Sequence, residues 1–320
     1  MQFSDHESSA FAPASIGNVG VGFDVLGLAV GAPGADGRPL GDTVVARINT
    51  AHAEVRVISI SGEAATVLPS DPAKNTAAIA ARHTLETAGV TLGVDLKLHK
   101  GLPIGSGLGS SAASAAAGAL ATNLLLGSPL RKSELIAPCL EAEAAVSGRH
   151  ADNISASLLG GLTLARSIDP LDVIRLPIPS GLQVVVVSPR IEVLTKSARQ
   201  ALPARIPLTE MVEAQAALAA FVAACHSGDL SLLARSFRVG VDTAARLPLI
   251  SGAQDVIDSA LNAGALGSSI SGAGPSIFAL CRSLASAQRV AEAMIGAFRA
   301  AGHEATHAIG DADARGARRA

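Results

Sequence analysis

Apolar and polar positions alternate in two early stretches, TVVARI at 43–48 and EVRVISI at 54–60. A period of two puts one face in a core and the other in water, so both are predicted as strands of an antiparallel sheet. A third alternating run, VDLKLH at 94–99, is predicted as a strand leading into a glycine-rich segment. Helical spacing takes over at 76–88, from about 111 to 126, and at 133–146, with Ser133 as the expected N-cap of the last. Residues 10–17 read as a short strand ending in a turn, and another strand is expected near 162–166. The Pro- and Asp-rich stretch 167–181 marks the expected domain boundary, dividing the chain into 1–170 and 171–320. Beyond it lie a buried strand at 183–188, a basic helical turn from Thr195, and helices over 211–226, 230–239, 252–263 and 286–301. A glycine-rich loop at 264–275 joins two short strands, and 303–309 is expected to close the sheet. Strands paired with helices predict an α+β sandwich here.

Composition narrows the chemistry more than the fold. The chain has 320 residues, 49% of them apolar, with no Trp, no Tyr and seven Phe. A net charge of -2 and the lack of aromatic platforms argue against nucleic acid as a partner. No apolar run is expected to reach the length of a membrane span. The first residues are acidic and carry no basic leader region, so a cytoplasmic location is expected. Cys139, Cys225 and Cys281 are far apart in apolar surroundings, as buried reduced thiols would be. His303-Glu-Ala-Thr-His307 matches a zinc-protease string that needs a helix to bring both imidazoles to one face. It lies near the chain end, with little room expected for a third ligand downstream. The last ten residues are expected to fray.

The segment PIGSGLGSSAAS at 103–114 holds the strongest candidate chemistry. Spaced glycines ahead of a helix let backbone N–H groups approach an anion, and the helix dipole adds partial positive charge there. Ser110 and Ser111 can bond phosphate oxygens or a phosphate-bound magnesium ion. No lysine follows Gly109, so the Walker pattern does not fit, and Ser110 stands where a dinucleotide loop needs its third glycine. Asn18 and Asp24, in a compact glycine-dense loop, are a candidate site for a polar substrate.

That segment resembles the ATP loop of the GHMP kinases. Two further stretches, FAPASIGNVGVGFDVLGL at 11–28 and GSSISGAGPS at 267–276, are similar to the first and third motifs of the homoserine kinases within that superfamily. The strings HADN at 150–153, LGG at 159–161 and TKSAR at 195–199 add to the likeness, which spans about residues 10–300. The resemblance implies a two-domain α+β fold. Its N-terminal domain would carry a left-handed-type βαβ phosphate loop, and its C-terminal domain would be a ferredoxin-like α/β sandwich. It implies an ATP-dependent phosphotransferase acting on the L-homoserine hydroxyl in threonine biosynthesis. A mevalonate-type kinase and a non-catalytic ligand-binding relative are the alternatives, and a homodimer is left open.

The same resemblance assigns residues. ATP phosphates would lie along Pro103, Ile104, Gly105, Ser106, Gly107 and Leu108, then Gly109, Ser110, Ser111, Ala112 and Ala113, with Asn75 and Lys100 near the nucleotide. Magnesium would be held by Ser111 and a helix glutamate; counting back from Gly148 picks Glu143, while counting from His150 leaves Glu141 open. Homoserine would be gripped by Asn18, Asp24, Asn153, Arg199 and Arg246, with His150 and Thr195 nearby. The arginines suit a carboxylate and Asp24 an ammonium. Asn153 stands where several relatives carry an aspartate base, which implies catalysis by Asn153 and Arg199 through placement and electrostatics. Asp152 is the runner-up base.

Overall fold

The alternating runs do form strands, but their partners differ from those expected. The computed structural model describes residues 7–34, 36–63, 65–191, 193 and 195–320, and at 195 and 196 the backbone alone. The N-terminal half runs β1 (Glu7–Pro13), β2 (Ser15–Gly17), β3 (Leu26–Gly31), β4 (Gly41–Ile48), β5 (Val55–Gly62), α1 (Thr76–Thr87), β6 (Val94–Lys100), α2 (Ser110–Leu125), α3 (Ile136–Ala144), α4 (Asp152–Leu159), β7 (Leu162–Ile168) and β8 (Leu171–Leu176). The remainder runs β9 (Gln183–Pro189), α5 (Thr195–Gln200), α6 (Leu208–Ser227), α7 (Leu230–Ser236), α8 (Val241–Arg246), α9 (Ala253–Asn262), β10 (Gly267–Ile270), β11 (Ile277–Cys281), α10 (Leu284–Ala300), β12 (Ala305–Ala312) and β13 (Arg318–Arg319).

One sheet has the order β13-β1-β4-β6-β5. The strands β4 and β5 do not pair with each other, because β6 lies between them, antiparallel to β4 and parallel to β5. A parallel pair needs a crossover, and α1 supplies it. The alanine run of α2 packs against α1, β1 and β4. Small side chains permit this approach: a Cβ on Gly118 would stand 2.5 Å from the Ala77 carbonyl oxygen. The second sheet has the order β10-β11-β9-β12-β3-β7-β8. Within it, β9 to β12 form the split β-α-β-β-α-β unit expected of the C-terminal half.

Several expectations change. The division at 170/171 falls in the turn of the β7–β8 hairpin, where Ile168 pairs with Leu171. Both halves share the second sheet through the β12–β3 pairing. The last ten residues do not fray. Strand β13 pairs with β1, Ala317 is fully buried, and Arg318 lies 2.8 Å from Asp313 and over the Phe11 ring. Ser133 lies inside a 3-10 turn at Lys132–Leu135, and Glu134 instead accepts the Arg131 N–H at 2.7 Å. Among the described residues one helix, α6, is long and apolar enough by length and composition to cross a membrane. It packs Ala217, Phe221, Ala224 and Cys225 inward, with the Phe221 and Phe237 rings edge to face at 6.0 Å. His303 follows α10 and His307 lies in β12, so no helix aligns the two imidazoles.

Candidate active site

Strand β6 delivers the chain to the glycine-rich loop, and three left-handed glycines shape it: Gly105 at φ 64°, Gly107 at 78° and Gly109 at 64°. Such angles disfavour any residue with a Cβ. Space forbids one too, since a Cβ on Gly107 would lie 2.5 Å from the Ser271 carbonyl oxygen. Gly109 caps α2 without a side-chain bond, so the first-turn amides are left for an outside acceptor. The other two glycine-rich segments brace the loop. The Ser15 N–H donates to the Leu108 carbonyl at 3.0 Å, the Gly272 N–H to the Gly17 carbonyl at 3.2 Å, and Ser271 Oγ to the Gly107 carbonyl at 2.7 Å.

A cavity of about 330 Å³ opens over this turn, lined by Ile104, Gly105, Ser106, Gly107, Gly109, Ser110 and Ser111 together with Asn75, Glu143, Asn153 and Gly272. The remaining loop positions depart from the expected set. Pro103 and Leu108 line the wider cleft behind the loop, while Ala112 and Ala113 are fully buried and offer only backbone. Lys100 is not a free phosphate ligand. Its ammonium donates to Asp42, to the Ser110 carbonyl at 2.8 Å and to Ser114 Oγ at 2.9 Å, which uses all three donors. Burial lowers its pKa, with Asp42 opposing. Lys100 therefore ties the start of α2 to β4 from below. Asn75 is committed as well: its Oδ1 caps α1 by accepting from Ala77 and Ala78, and its Nδ2 donates to the Pro69 carbonyl.

Of the two candidate metal glutamates, Glu143 lines the cavity. Glu141 pairs with Arg149 at 3.1 Å in a half-exposed surface contact. Ser111 donates to Glu143 Oε1 at 3.2 Å, and Ser147 donates to the same oxygen. Oε2 is buried with no hydrogen-bond partner among the described residues. Burial raises the Glu143 pKa. An orphaned carboxylate oxygen beside a phosphate cradle and a serine hydroxyl fits a hard divalent cation.

Past Asn153 the character of the site changes from backbone to charged side chains. Asn18 (φ 67°), Val19 (46°) and Asp24 (59°) are all left-handed, which closes the first-motif loop on itself. Asn18 accepts the Asp24 N–H at 2.9 Å and donates to the Gly272 carbonyl at 3.1 Å. Arg246, 5% exposed, donates to the same carbonyl at 3.1 Å. Arg199 forks onto Asp24 at 2.8 and 3.2 Å and also donates to His150. Burial lowers the His150 pKa, with Asp24 opposing and both arginines adding to the shift, so the imidazole accepts. Ser15 donates to Asn153 Oδ1 at 2.9 Å. The Thr195 backbone opens α5, while its side chain lies outside the described residues.

The GHMP kinases N terminal domain matches residues 75–161, and the GHMP kinases C terminal domain matches residues 219–300. A homoserine kinase of Arabidopsis thaliana is 43% identical over 92% of this chain and 79% of its own length. One from Chloroherpeton thalassium is 43% identical over 91% of this chain and 92% of its own. This chain belongs to the homoserine kinase family. The crystal structure of homoserine kinase from Cytophaga hutchinsonii superposes with a TM-score of 0.93, at 41% identity, covering all of this chain and 99% of that one.

As a member of the homoserine kinase family and of the GHMP kinases, the chain has the fold of an ATP-dependent phosphotransferase that acts on an alcohol. Sequence reading missed several residues of its site. Asp42 holds Lys100, and Ser147 holds Glu143. Phe23 lies against both arginines. Asp152 is no helix cap, since Ala151 holds that position. It is buried, and desolvation raises its pKa to about 7 against the pull of the Asn153 and Asn18 backbone N–H groups. Only Phe23, beside Asp24 in the first motif, had a sequence signal that could have found it.

Proposed function

We propose that this chain transfers the terminal phosphoryl group of ATP to the side-chain hydroxyl of L-homoserine, forming O-phospho-L-homoserine and ADP on the route to threonine. The observation that carries the reading is a shared wall. Asn153 and Gly272 line the cavity over the phosphate loop, and the Gly272 carbonyl accepts from both Asn18 and Arg246. An anion cradle and an amino-acid grip therefore meet across one peptide. Membership of the homoserine kinase family supports the same acceptor.

In this mechanism the amides from Gly105 to Ser111 hold the nucleotide phosphates. Glu143 and Ser111 would hold magnesium, which when bound neutralises charge on those phosphates. A zwitterion can replace the Arg199–Asp24 pair without loss of charge balance: its carboxylate takes Arg199 and Arg246, and its ammonium takes Asp24. The Asn153 amide, steadied by Ser15, orients the acceptor hydroxyl and has no proton-accepting role. Asp152 is buried and is not part of the cavity lining. Placement and electrostatic stabilisation drive the transfer. The three buried free thiols favour a cytoplasmic setting.

A coupled ADP-release assay over homoserine, serine, threonine and mevalonate tests the acceptor. Homoserine should give the highest kcat/KM. A preference for mevalonate would assign the chain to the mevalonate-type alternative, since that acceptor has no ammonium for Asp24. Absence of turnover with all four would favour a ligand-binding relative.

A further inference from the structure

Extended backbone sends successive side chains to opposite sides. Phe23 and Asp24 lie in a turn instead, with a left-handed φ of 59° at Asp24, and both side chains converge on Arg199. The Phe23 ring centroid lies 5.4 Å from the Arg199 guanidinium carbon and 5.1 Å from that of Arg246. Both are within cation–π range. The ring is not a core element. Val21 and Val25 on either side of it pack against an apolar cluster, whereas Phe23 belongs to none of the three clusters among the described residues.

Two guanidinium groups against one ring repel each other, and each needs a partner that survives substrate entry. Asp24 is not such a partner for Arg199 if the incoming ammonium takes it. The negative face of an aromatic ring attracts cations without offering a hydrogen-bond acceptor that competes with a carboxylate. We infer that Phe23 is a positioning residue for the acceptor: its ring holds Arg199 and Arg246 as a pair for the α-carboxylate while Asp24 is released to the α-ammonium. The inference rests on the homoserine reading above and adds to it the residue that spaces the two arginines.

Phe23→Leu keeps an apolar side chain and removes the ring. It should raise KM for homoserine about tenfold, the scale of a pair of partly desolvated cation–π contacts. The KM for ATP, kcat at saturating homoserine and the melting temperature should stay at their parent values. Phe23→Tyr should restore the parent KM. If Phe23→Leu does not fold, Phe23→Met carries the same comparison. Parent enzyme without homoserine turnover overturns the functional reading and this inference with it. Parent turnover together with an unchanged homoserine KM in the ring-less variant, or an equal rise in the ATP KM, overturns the inference alone.

Discussion

The two ends of the proposed site are built from different materials. The phosphate end is backbone: three left-handed glycines, a helix start without a side-chain cap, and small neighbours that allow close approach. The proposed acceptor end is polar and charged side chains from four separate stretches, at 18–24, 150–153, 199 and 246. A backbone site needs its residues in a row, because the turn itself is the ligand. A side-chain site needs only that the fold bring distant residues together. The first should therefore respond to changes in turn geometry and helix anchoring, and the second to single charges.

The largest effect that would sharpen this contrast is expected at Glu143. Glu143→Gln should lower kcat by about 10³-fold, the scale of losing one preorganised electrostatic contact. The same variant should melt at or above the parent temperature, since a desolvated negative charge is removed. Paired activity and melting measurements check both halves, and a fall in the two together would make Glu143 structural. Next comes Lys100→Met, which leaves Asp42 buried and unpaired. A stability loss of about 3 kcal/mol is expected by denaturant titration. A phosphate ligand would behave otherwise, raising the ATP KM with little change in stability.

Arg199→Ala should raise KM for homoserine about 100-fold, as loss of a charge-assisted fork implies, with the ATP KM unchanged. An unchanged homoserine KM would break the assignment of the acceptor end. A pH-dependent effect concerns Asp152, whose pKa is raised from 3.8 to about 7. The folded state then holds a proton that the unfolded chain has lost, so this group subtracts stability as pH rises from about 4 to 7. Asp152→Asn should gain melting temperature relative to the parent across that window, more at pH 8 than at pH 4. An equal difference at both values would show that the carboxyl does not titrate there.

The contrast between the two ends also explains what could be read from the chain. The 103–114 string announced its turn and its helix, since glycine, serine and alanine have local conformational reasons to stand there. The helix over 76–88 and the 94–99 strand were legible from the spacing of their apolar positions. Pairing was not: nothing local in 54–60 says that it runs parallel to 94–100 with another strand beyond. The β8 strand was hidden because a Pro- and Asp-rich stretch resembles a linker, although Leu171–Leu176 pairs with β7. Lys100 looked like a phosphate ligand until Asp42, 58 positions away, claimed its ammonium. Apart from Asn18 and Asp24, the proposed acceptor residues were assigned through family likeness, because a lone arginine such as Arg246 has no local signature of burial.

Phosphorus-31 NMR of the product formed from ATP and L-homoserine tests the central claim most directly. Transfer from cradle to acceptor predicts ADP together with an equal amount of a phosphomonoester whose phosphorus couples to the side-chain methylene next to the oxygen. Inorganic phosphate as the only new phosphorus species, or phosphate carried on the α-carboxylate, would contradict it.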